Sequence, residues 1–388
     1  MNASPPQVQV AALFPHYADD LGTSHMVQSI CGHMRGEGLD VRLVQAASEP
    51  RGRRPYTRDA VPPLLKGLAY RLGSYAAVSR YSEKVFLRSL RHGEVAYLFP
   101  GTSLDTYRRI KEHGHTLVVE RINCHTGTAK RILDDAYARL GLPPRHGVTE
   151  AMVQQERAEL ELADFVFSPS PRVAQSLEEN GVPTAKILPT SYGWDPGRLQ
   201  GTSPTLPAVD GLTVLFVGTL CVRKGVHLLL EAWARSGIQG RLVFAGEPDQ
   251  DITTLCADLL SRPDIVRLGY VTAIEGVFRS ADVFAFPTLE EGGPLVTYEA
   301  LACGLPTLLS PMGAGAIARH EQDGFVLDPY DREAWIEALG RLARDRKLRE
   351  VMGNSARTHA VDFTWDKVGK RRRELLLAAL RKSGRSGE

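Results

Sequence analysis

The sequence lacks the features that mark several large classes of protein. It has five cysteines in 388 residues, and none of them forms a CxxC pair. This argues against a disulfide framework and favours a reducing, intracellular compartment. No stretch approaches 18 uninterrupted apolar residues, so no transmembrane helix is expected. The first residues contain no basic segment followed by a long apolar core, so no signal peptide is indicated.

Strong net charge and a dinucleotide fingerprint are also missing. The formal net charge is +2, which is too small to indicate nucleic-acid binding. Neither half of the chain opens with a GxGxxG turn, which disfavours a nicotinamide dehydrogenase. What remains is an ordinary globular composition, with 43% apolar and 24% charged residues, at a length that suits two domains.

Short apolar runs alternate with amphipathic segments along the chain. This rhythm predicts strands alternating with helices, and therefore an α/β fold with two doubly wound, Rossmann-like parallel sheets. Residues 197–211 are rich in glycine, proline and polar residues, which is typical of a linker. We therefore predict a first domain at residues 1–196, a second at 212–363, and a final helix within residues 364–388.

The most distinctive stretch is residues 288–306, TLEEGGPLVTYEALACGLP. Two carboxylates, Glu291 and Glu299, stand eight residues apart. The pattern predicts a strand, a glycine turn that holds Glu291, and a helix over Leu295–Ala302 with Pro294 in its first turn. A helix start presents free backbone N–H groups to an anion such as a diphosphate. The two carboxylates instead suit hydrogen bonds from sugar hydroxyls.

This stretch resembles the E-x7-E motif of family 4 glycosyltransferases, which are retaining enzymes of GT-B fold. The resemblance implies two Rossmann-like domains that face one cleft, with the first glutamate at the donor sugar and the second at the nucleotide ribose. The chain departs from the usual motif at Gly293 and Pro294. The donor-binding residues that the resemblance implies here are Glu291, Gly292, Gly293, Pro294, Leu295, Val296 and Glu299.

A second segment supports the same resemblance. The loop GTLCVRKG, residues 218–225, lies between a predicted strand, Leu212–Val217, and a predicted helix, Val226–Ser236. It is similar to the family's G-R-L-x-x-x-K-G segment, and its donor-binding candidates are Gly218, Thr219, Arg223 and Lys224. Thr219 replaces the family's arginine, and Arg223 offers a second cation beside Lys224. Two fixed cations can stabilise a leaving diphosphate without a metal, so no metal site is predicted. The alternative is a solvated basic turn.

The resemblance also places candidates at other strand ends. Gly246 ends a strand of the second domain, and Tyr270 or the backbone of Val271 is expected near the nucleobase. A tyrosine packed at a strand end is the alternative. In the first domain, His125 is the catalytic candidate, together with Glu291 and Lys224 of the second. Its alternative is a capping or loop histidine.

The first loop of the chain supplies the acceptor-side candidates. His16 lies at the carboxyl end of the first predicted strand, where open α/β sheets place ligands. Gly22 and Thr23 suit a backbone turn with a capping hydroxyl before the first helix. A solvent-exposed loop histidine is the alternative interpretation of His16.

Residues 51–92 carry ten basic side chains and two acidic ones, interleaved with tyrosine, leucine and phenylalanine. The composition predicts helices with basic and apolar faces. One interpretation is a surface that meets anionic lipid headgroups. The other, which we favour, is a packed helical insertion whose basic residues are solvated.

These observations predict a metal-independent, retaining hexosyltransferase that moves a sugar from a nucleotide-sugar donor to an acceptor hydroxyl. The donor, UDP- or GDP-linked, is a substrate, so no cofactor is expected, and no nucleic acid is expected as a partner. The setting would be glycan, polysaccharide or natural-product glycoside synthesis. We expect a cytoplasmic protein, with peripheral contact at the inner face of the membrane as an open alternative.

Two other functions stay open for the same fold. A nucleotide-sugar epimerase would need a different set of histidine and carboxylate groups. The other is a non-catalytic nucleotide-sugar-binding subunit. Release of free nucleoside diphosphate only when an acceptor is supplied would separate a transferase from both.

Overall fold

The computed structural model describes residues 7–72, 74–201 and 203–384. Within them, a first parallel sheet has seven strands, with the order β3-β2-β1-β4-β5-β6-β7. Its strands are β1 Val8–Ala18, β2 Leu39–Ser48, β3 Thr57–Asp59, β4 Val95–Leu98, β5 Leu117–Glu120, β6 Phe165–Ser168 and β7 Ile187–Pro189.

A second parallel sheet has six strands, with the order β10-β9-β8-β11-β12-β13. Its strands are β8 Leu212–Val217, β9 Gly240–Ala245, β10 Ile265–Gly269, β11 Val283–Phe286, β12 Thr307–Leu309 and β13 Gly324–Val326. The predicted α/β architecture with two doubly wound sheets is therefore confirmed.

Helices connect the strands of both sheets. In the first half they are α1 Gly22–Met34, α2 Lys66–Leu72, α3 Tyr75–Ser89, α4 Leu104–Glu112, α5 Thr126–Arg139, α6 Glu150–Leu162 and α7 Pro171–Glu179. In the second half they are α8 Val226–Ser236, α9 Gln250–Leu255, α10 Ala257–Leu260, α11 Ile274–Arg279, α12 Leu295–Ala302, α13 Arg332–Arg344, α14 Arg346–Ala360 and α15 Trp365–Lys382.

Polar side chains define where several of these helices begin. Ser74 accepts a hydrogen bond from the Ala77 N–H at the start of α3, and Thr149 accepts one from the Met152 N–H at the start of α6. Each bond satisfies a backbone donor that the first helical turn cannot pair internally. The local sequence thereby fixes the helix starts that place the loops above the sheets.

Chain order reverses at one point in each sheet. In the first sheet β1 lies between β2 and β4, and in the second β8 lies between β9 and β11. Ligands of open α/β sheets bind beyond the carboxyl ends of the strands at such points. The loops that follow β1, β8 and β11 are therefore the natural places to look for a site.

The last helix, α15, returns to the first sheet and packs against α1. Gly369 permits the approach, because a Cβ there would lie 2.4 Å from His33 atoms. Arg372 is fully buried and donates hydrogen bonds of 2.9 Å to both carboxylate oxygens of Glu120. Tyr97 donates to the same carboxylate. These contacts join the last helix to the first sheet. The exact domain limits given above remain predictions.

The structure corrects the prediction for the first part of residues 51–92. Residues 50–59 are not helical beyond one short turn, because Pro50 and Pro55 interrupt the segment and Thr57–Asp59 pairs with β2 as an edge strand. Helices α2 and α3 do follow, and Val78 and Phe86 of α3 are buried. One face of α3 is therefore packed, as expected of a helical insertion.

In the described part of the chain, we find no helix that is both long enough and apolar enough to cross a membrane.

Candidate active site

Two loops at the carboxyl edge of the second sheet meet at the centre of the candidate site. Residues 218–225 follow β8 and residues 287–294 follow β11. Gly225 has a φ of 68°, and a Cβ there would lie 2.2 Å from the Pro287 carbonyl oxygen. The Leu289 N–H donates to the Arg223 carbonyl oxygen at 2.8 Å. Glycine is required where the loops touch, and the contact brings the basic turn to the acidic one.

Charged side chains gather at this meeting point. The Lys224 ammonium contacts Oε1 of Glu291, and Nη1 of Arg223 lies 3.1 Å from the same oxygen. Arg223 also lies 3.4 Å from Oε2 of Glu290. The other Glu290 oxygen accepts a hydrogen bond of 3.5 Å from the Cys124 thiol of the first domain. The predicted residues Lys224, Arg223 and Glu291 are therefore brought together, and Glu290 joins them.

The Lys224 ammonium is held in a shielded position. Burial, followed by the nearby Arg223 guanidinium, lowers the pKa of Lys224 to about 7. Cys221 and the Glu290 carboxylate act in the opposite direction and raise the pKa of Lys224, because negative charge stabilises the ammonium. Nζ of Lys224 also lies 5.0 Å from the centroid of the Phe286 ring. A ligand that brought negative charge to this cluster would favour the protonated lysine further.

Two predicted donor-binding glycines lie where the second domain touches the first. A Cβ on Gly292 would lie 1.9 Å from the Ile122 carbonyl oxygen, and one on Gly293 would lie 2.8 Å from the Tyr192 ring. Ile122 and Tyr192 follow strands of the first sheet. Any side chain at these two positions would therefore push the domains apart.

Helix α12 starts directly after this contact. Pro294 occupies the position before its first residue rather than the first turn, with φ −66° and ψ 111°, so the helix begins one residue later than the predicted proline placement. Leu295 and Val296 form the first turn and are half-buried. Glu291 therefore stays in the loop, and Glu299 lies in the second turn of the helix.

Glu299 is half-buried in the second turn of α12. Burial raises the pKa of Glu299 to about 7, while the positive charge of Arg198 acts to lower it. Arg198 also donates to the Asp20 carbonyl oxygen at 3.3 Å. Arg198 thus stands between the second predicted glutamate and the first loop of the chain, a position that its place in the linker sequence did not indicate.

The remaining donor-side candidates lie along the edge of the second sheet. Gly218 and Gly246 pack against each other, since a Cβ on Gly246 would lie 2.0 Å from the Gly218 carbonyl oxygen. Thr219 is exposed beside them. Tyr270 is 70% exposed after the edge strand β10, so it is not the packed tyrosine of the alternative interpretation, and Val271 follows it.

Two of the three acceptor-side candidates border a cavity of about 370 Å³ at the carboxyl end of β1. His16 lies there with Thr23, and its Nε2 is 2.9 Å from the Pro100 carbonyl oxygen. Its Nδ1 is 2.6 Å from the Tyr75 hydroxyl. Burial lowers the pKa of His16. His16 is therefore held by two partners rather than solvated.

The first helix starts differently from the prediction. Gly22 opens α1 with a φ of 46°, but the capping hydroxyl is that of Ser24 and not of Thr23. The Leu21 N–H donates to Ser24 Oγ at 3.2 Å, and Ser24 Oγ donates to Asp19 at 2.7 Å. Thr23 is left exposed on the cavity rim.

The structure does not bring His125 into the Lys224–Glu291 cluster. His125 is fully buried, and its Nδ1 accepts from the Gly127 N–H at 3.0 Å at the start of α5. The backbone N–H of His125 donates to Ser176 Oγ at 2.9 Å. Capping of α5 holds the ring on the helix side of its loop, in agreement with the alternative interpretation of a capping histidine.

One Asp-x-Asp triplet occurs in the sequence, Asp249-Gln250-Asp251. Asp249 caps α9 by accepting from the Ile252 N–H at 2.8 Å. Asp251 accepts from the Tyr137 hydroxyl at 2.8 Å and lies 3.0 Å from Arg145. Both aspartates are therefore engaged in contacts within the protein.

Solved structures place this fold among known proteins. Sucrose-phosphate synthase from Thermosynechococcus elongatus superimposes with a TM-score of 0.71 at 18% identity, over 97% of this chain and 100% of that one. The Anabaena protein HepE in complex with UDP-glucose superimposes with a TM-score of 0.68 at 15% identity, over 96% of this chain and 100% of that one. The fold is GT-B.

Part of the chain matches a known protein family by sequence. Residues 211–345 match the family model described as Glycosyl transferases group 1. This region contains the 218–225 loop, Glu291 and Glu299, so the matched segment includes the centre of the candidate site.

Three curated relatives illustrate the similarity. An uncharacterised glycosyltransferase of Methanocaldococcus jannaschii is 29% identical over 45% of this chain and 47% of its own. D-inositol 3-phosphate glycosyltransferases of Corynebacterium jeikeium and Actinosynnema mirum are 37% and 31% identical, over 39% and 50% of this chain and 39% and 51% of their own. The chain thus spans about half of these relatives or less.

Proposed function

We propose that this protein is a retaining glycosyltransferase that moves a hexose from a nucleotide-sugar donor to an acceptor hydroxyl. The observation that carries the proposal is the gathering of Lys224 and Arg223 on Glu291, where the loops after β8 and β11 meet. The match of this region to a glycosyltransferase family model and the GT-B fold support it. The same fold in a protein solved with UDP-glucose makes UDP the first nucleotide to test.

In this proposal each charged residue has a distinct task. Lys224 and Arg223 neutralise the negative charge that develops on the leaving diphosphate. Glu291 accepts hydrogen bonds from the donor sugar, and Glu299 accepts them from the ribose hydroxyls. The diphosphate then displaces Glu291 from the two cations, so donor binding replaces one ion pair with another.

The acceptor enters from the first domain. His16 and Thr23 border the cavity at the end of β1, at the switch point of the first sheet, and Gly22 precedes Thr23 in the chain. A front-face reaction, in which the acceptor hydroxyl attacks from the side that the diphosphate leaves, would retain the anomeric configuration. Such a reaction needs no protein nucleophile, and stabilisation of the departing diphosphate is its main requirement.

A peripheral membrane location is part of the proposal only for a lipid-linked acceptor. Leu64 is 98% exposed and Leu65 is 52% exposed just before α2. Helix α3 of the same segment carries exposed basic residues, including Arg80, Lys84 and Arg88. This combination suits an anionic bilayer surface. For a soluble acceptor, a cytoplasmic protein with a solvated insertion is expected.

The decisive experiment measures donor breakdown with and without an acceptor. Thermal shift with UDP-, GDP-, ADP- and TDP-sugars first identifies the donor, because a bound ligand raises apparent stability. Nucleoside diphosphate release is then followed in the presence of a panel of hydroxyl compounds, and the product anomer is assigned by NMR. The transferase requires release that depends on acceptor and a product with the donor's anomeric configuration.

The other outcomes are equally specific. A change of the donor sugar into its epimer without an acceptor would identify an epimerase. A thermal shift without release under any condition would identify a binding subunit. We expect activity to persist in excess chelator, because Lys224 and Arg223 stabilise the diphosphate. A loss of activity that Mg²⁺ or Mn²⁺ restores would contradict this role.

A further inference from the structure

A second cavity lies in the first domain, outside the Lys224–Glu291 cluster. Its volume is about 410 Å³, and it is bordered by the start of α5, the end of α6 and the loop that follows α7. The polar and charged residues of its lining are His125, Arg157, Glu161, Asn180 and Lys186. Cavities of this size hold small organic ligands.

The hydrogen bonding of His125 fixes which ring nitrogen carries the proton. Nδ1 accepts a hydrogen bond from the Gly127 N–H at 3.0 Å, so Nδ1 presents its lone pair and the neutral ring is protonated at Nε2. Burial lowers the pKa of His125, and the charges of Arg121 and Arg157 act in the same direction against that of Glu156. The neutral, Nε2-protonated form is therefore favoured.

Nε2 of His125 has no hydrogen-bond partner among the described residues, although it is buried. A buried donor without an acceptor destabilises the folded protein. Such groups are rare in native proteins, and each one calls for an explanation such as a bound molecule. The unpaired donor belongs to a residue of the cavity lining, so an acceptor atom that reached the ring from the cavity would satisfy it.

The charge of the cavity favours an anionic acceptor. Arg157 is exposed at the edge and forms no hydrogen bond or ion pair with the described residues. Lys186 donates to the Glu161 carbonyl oxygen at 3.0 Å, at the end of α6. Glu161 is the one acidic residue of the lining, so the cations outnumber it.

We propose that this cavity binds a small ligand through an oxyanion group, either phosphate or carboxylate. One oxygen accepts the hydrogen bond from His125 Nε2, and Arg157 balances the charge. The cavity does not include the loops after β8 and β11, so the ligand and a nucleotide occupy the protein together. The site is thus distinct from the proposed donor cleft and does not depend on the transferase proposal.

The test uses the full chain saturated with UDP, so that the diphosphate site is filled. Inorganic phosphate is titrated in one arm and acetate in the other, at constant ionic strength, while the ring ¹⁵N resonances of His125 are followed by NMR. His125→Asn assigns these resonances and keeps a good N-cap residue for α5. We expect the ring ¹⁵N resonances of the free protein to show a His125 ring protonated at Nε2. We expect phosphate, acetate or both to shift these resonances in a saturable way.

Variants locate the binding. Arg157→Gln should weaken the response at least about tenfold, because a charge-assisted hydrogen bond is lost. Arg172→Gln, on the exposed side of α7, is the matched control and should leave it unchanged. His125→Asn should abolish binding measured by calorimetry while UDP binding persists.

Three results would overturn the proposal. The first is the absence of any shift at His125 up to about 50 mM of either anion, far above a millimolar dissociation constant. The second is equal affinity in the Arg157→Gln variant. The third is phosphate binding that UDP abolishes, because that binding would belong to the donor cleft.

Discussion

The Lys224 ammonium contacts the Glu291 carboxylate, and the Arg223 guanidinium lies 3.1 Å from the same oxygen. Without a ligand the cluster therefore neutralises part of its own charge. A diphosphate would have to displace Glu291 from both cations. This exchange leads to opposite expectations for the basic and acidic members of the cluster.

Lys224→Ala should lower kcat by about a hundredfold or more, with a smaller change in KM. The negative charge on the diphosphate is greatest in the transition state, so the lysine stabilises that state more than the bound substrate. Steady-state kinetics with the identified donor provide the measurement. Thr219→Ala is the control in the same loop and should be mild. Full turnover by Lys224→Ala would assign the loop to the solvated alternative.

Glu291→Gln should separate nucleotide binding from turnover. The substitution keeps the shape of the side chain but removes the charge that competes for Lys224 and Arg223, so UDP affinity should not fall. Turnover should drop at least about tenfold, because the proposed hydrogen bonds to the sugar weaken. Calorimetry with UDP and kinetics with the donor are compared. An affinity loss as large as the loss of turnover would contradict this division.

Glu299→Ala should weaken UDP binding itself. A lost hydrogen bond to a charged group costs about 1.5–3 kcal/mol, which corresponds to roughly ten- to 150-fold in the dissociation constant. Glu337→Ala, on the exposed surface of α13, serves as the control in calorimetry. Unchanged affinity in Glu299→Ala would remove this residue from the nucleotide site.

Glu299 should also shape the pH dependence of stability. Burial raises the pKa of Glu299 from 4.5 to about 7, so the folded protein binds more protons than the unfolded chain between these values. The free energy of unfolding should therefore fall as pH rises from about 4.5 to 7, by up to about 3 kcal/mol. Glu299→Gln should flatten this part of the profile in urea titrations, and an unchanged profile would disprove the assignment.

The exposed leucines before α2 provide a test of membrane contact. Paired Leu64→Asp and Leu65→Asp changes should abolish cosedimentation with anionic vesicles at low salt, if the wild-type protein binds them. Val351→Asp, at a similarly exposed site of the second domain, should have no effect. Binding of wild type to neither anionic nor neutral vesicles, or equally to both, would leave only the solvated insertion.

Much of the second domain could be predicted because its signals are local. The bounds of Leu212–Val217, Val226–Ser236 and Leu295–Ala302 agree with the structure, since a glycine or proline directly flanks each segment on at least one side. The sequence does not predict strand β3, because its three polar edge residues, TRD, carry no apolar pattern. Its pairing with β2 is set by tertiary contacts instead.

In the candidate site, too, local sequence signals identify some residues and tertiary packing places the others. The residue types around Glu291 and Lys224 can be recognised from their motifs, but their contact depends on how closely two loops pack at Gly225. Glu290 adjoins Glu291 in the sequence but lies outside the motif, so the motif does not indicate its contact with Arg223. Arg198 gave no local signal, because its position near Glu299 arises from the path of the chain between the domains.

The buried pair of Glu120 and Arg372 has a consequence for how the chain matures on the ribosome. Glu120 is synthesised 252 residues before Arg372, so its carboxylate has no cation during most of translation. A first domain that folded early would have to leave this carboxylate hydrated, in an open groove that α15 later fills. We therefore expect nascent chains to keep that groove accessible to chaperones until the last helix emerges, and the first domain to finish folding last.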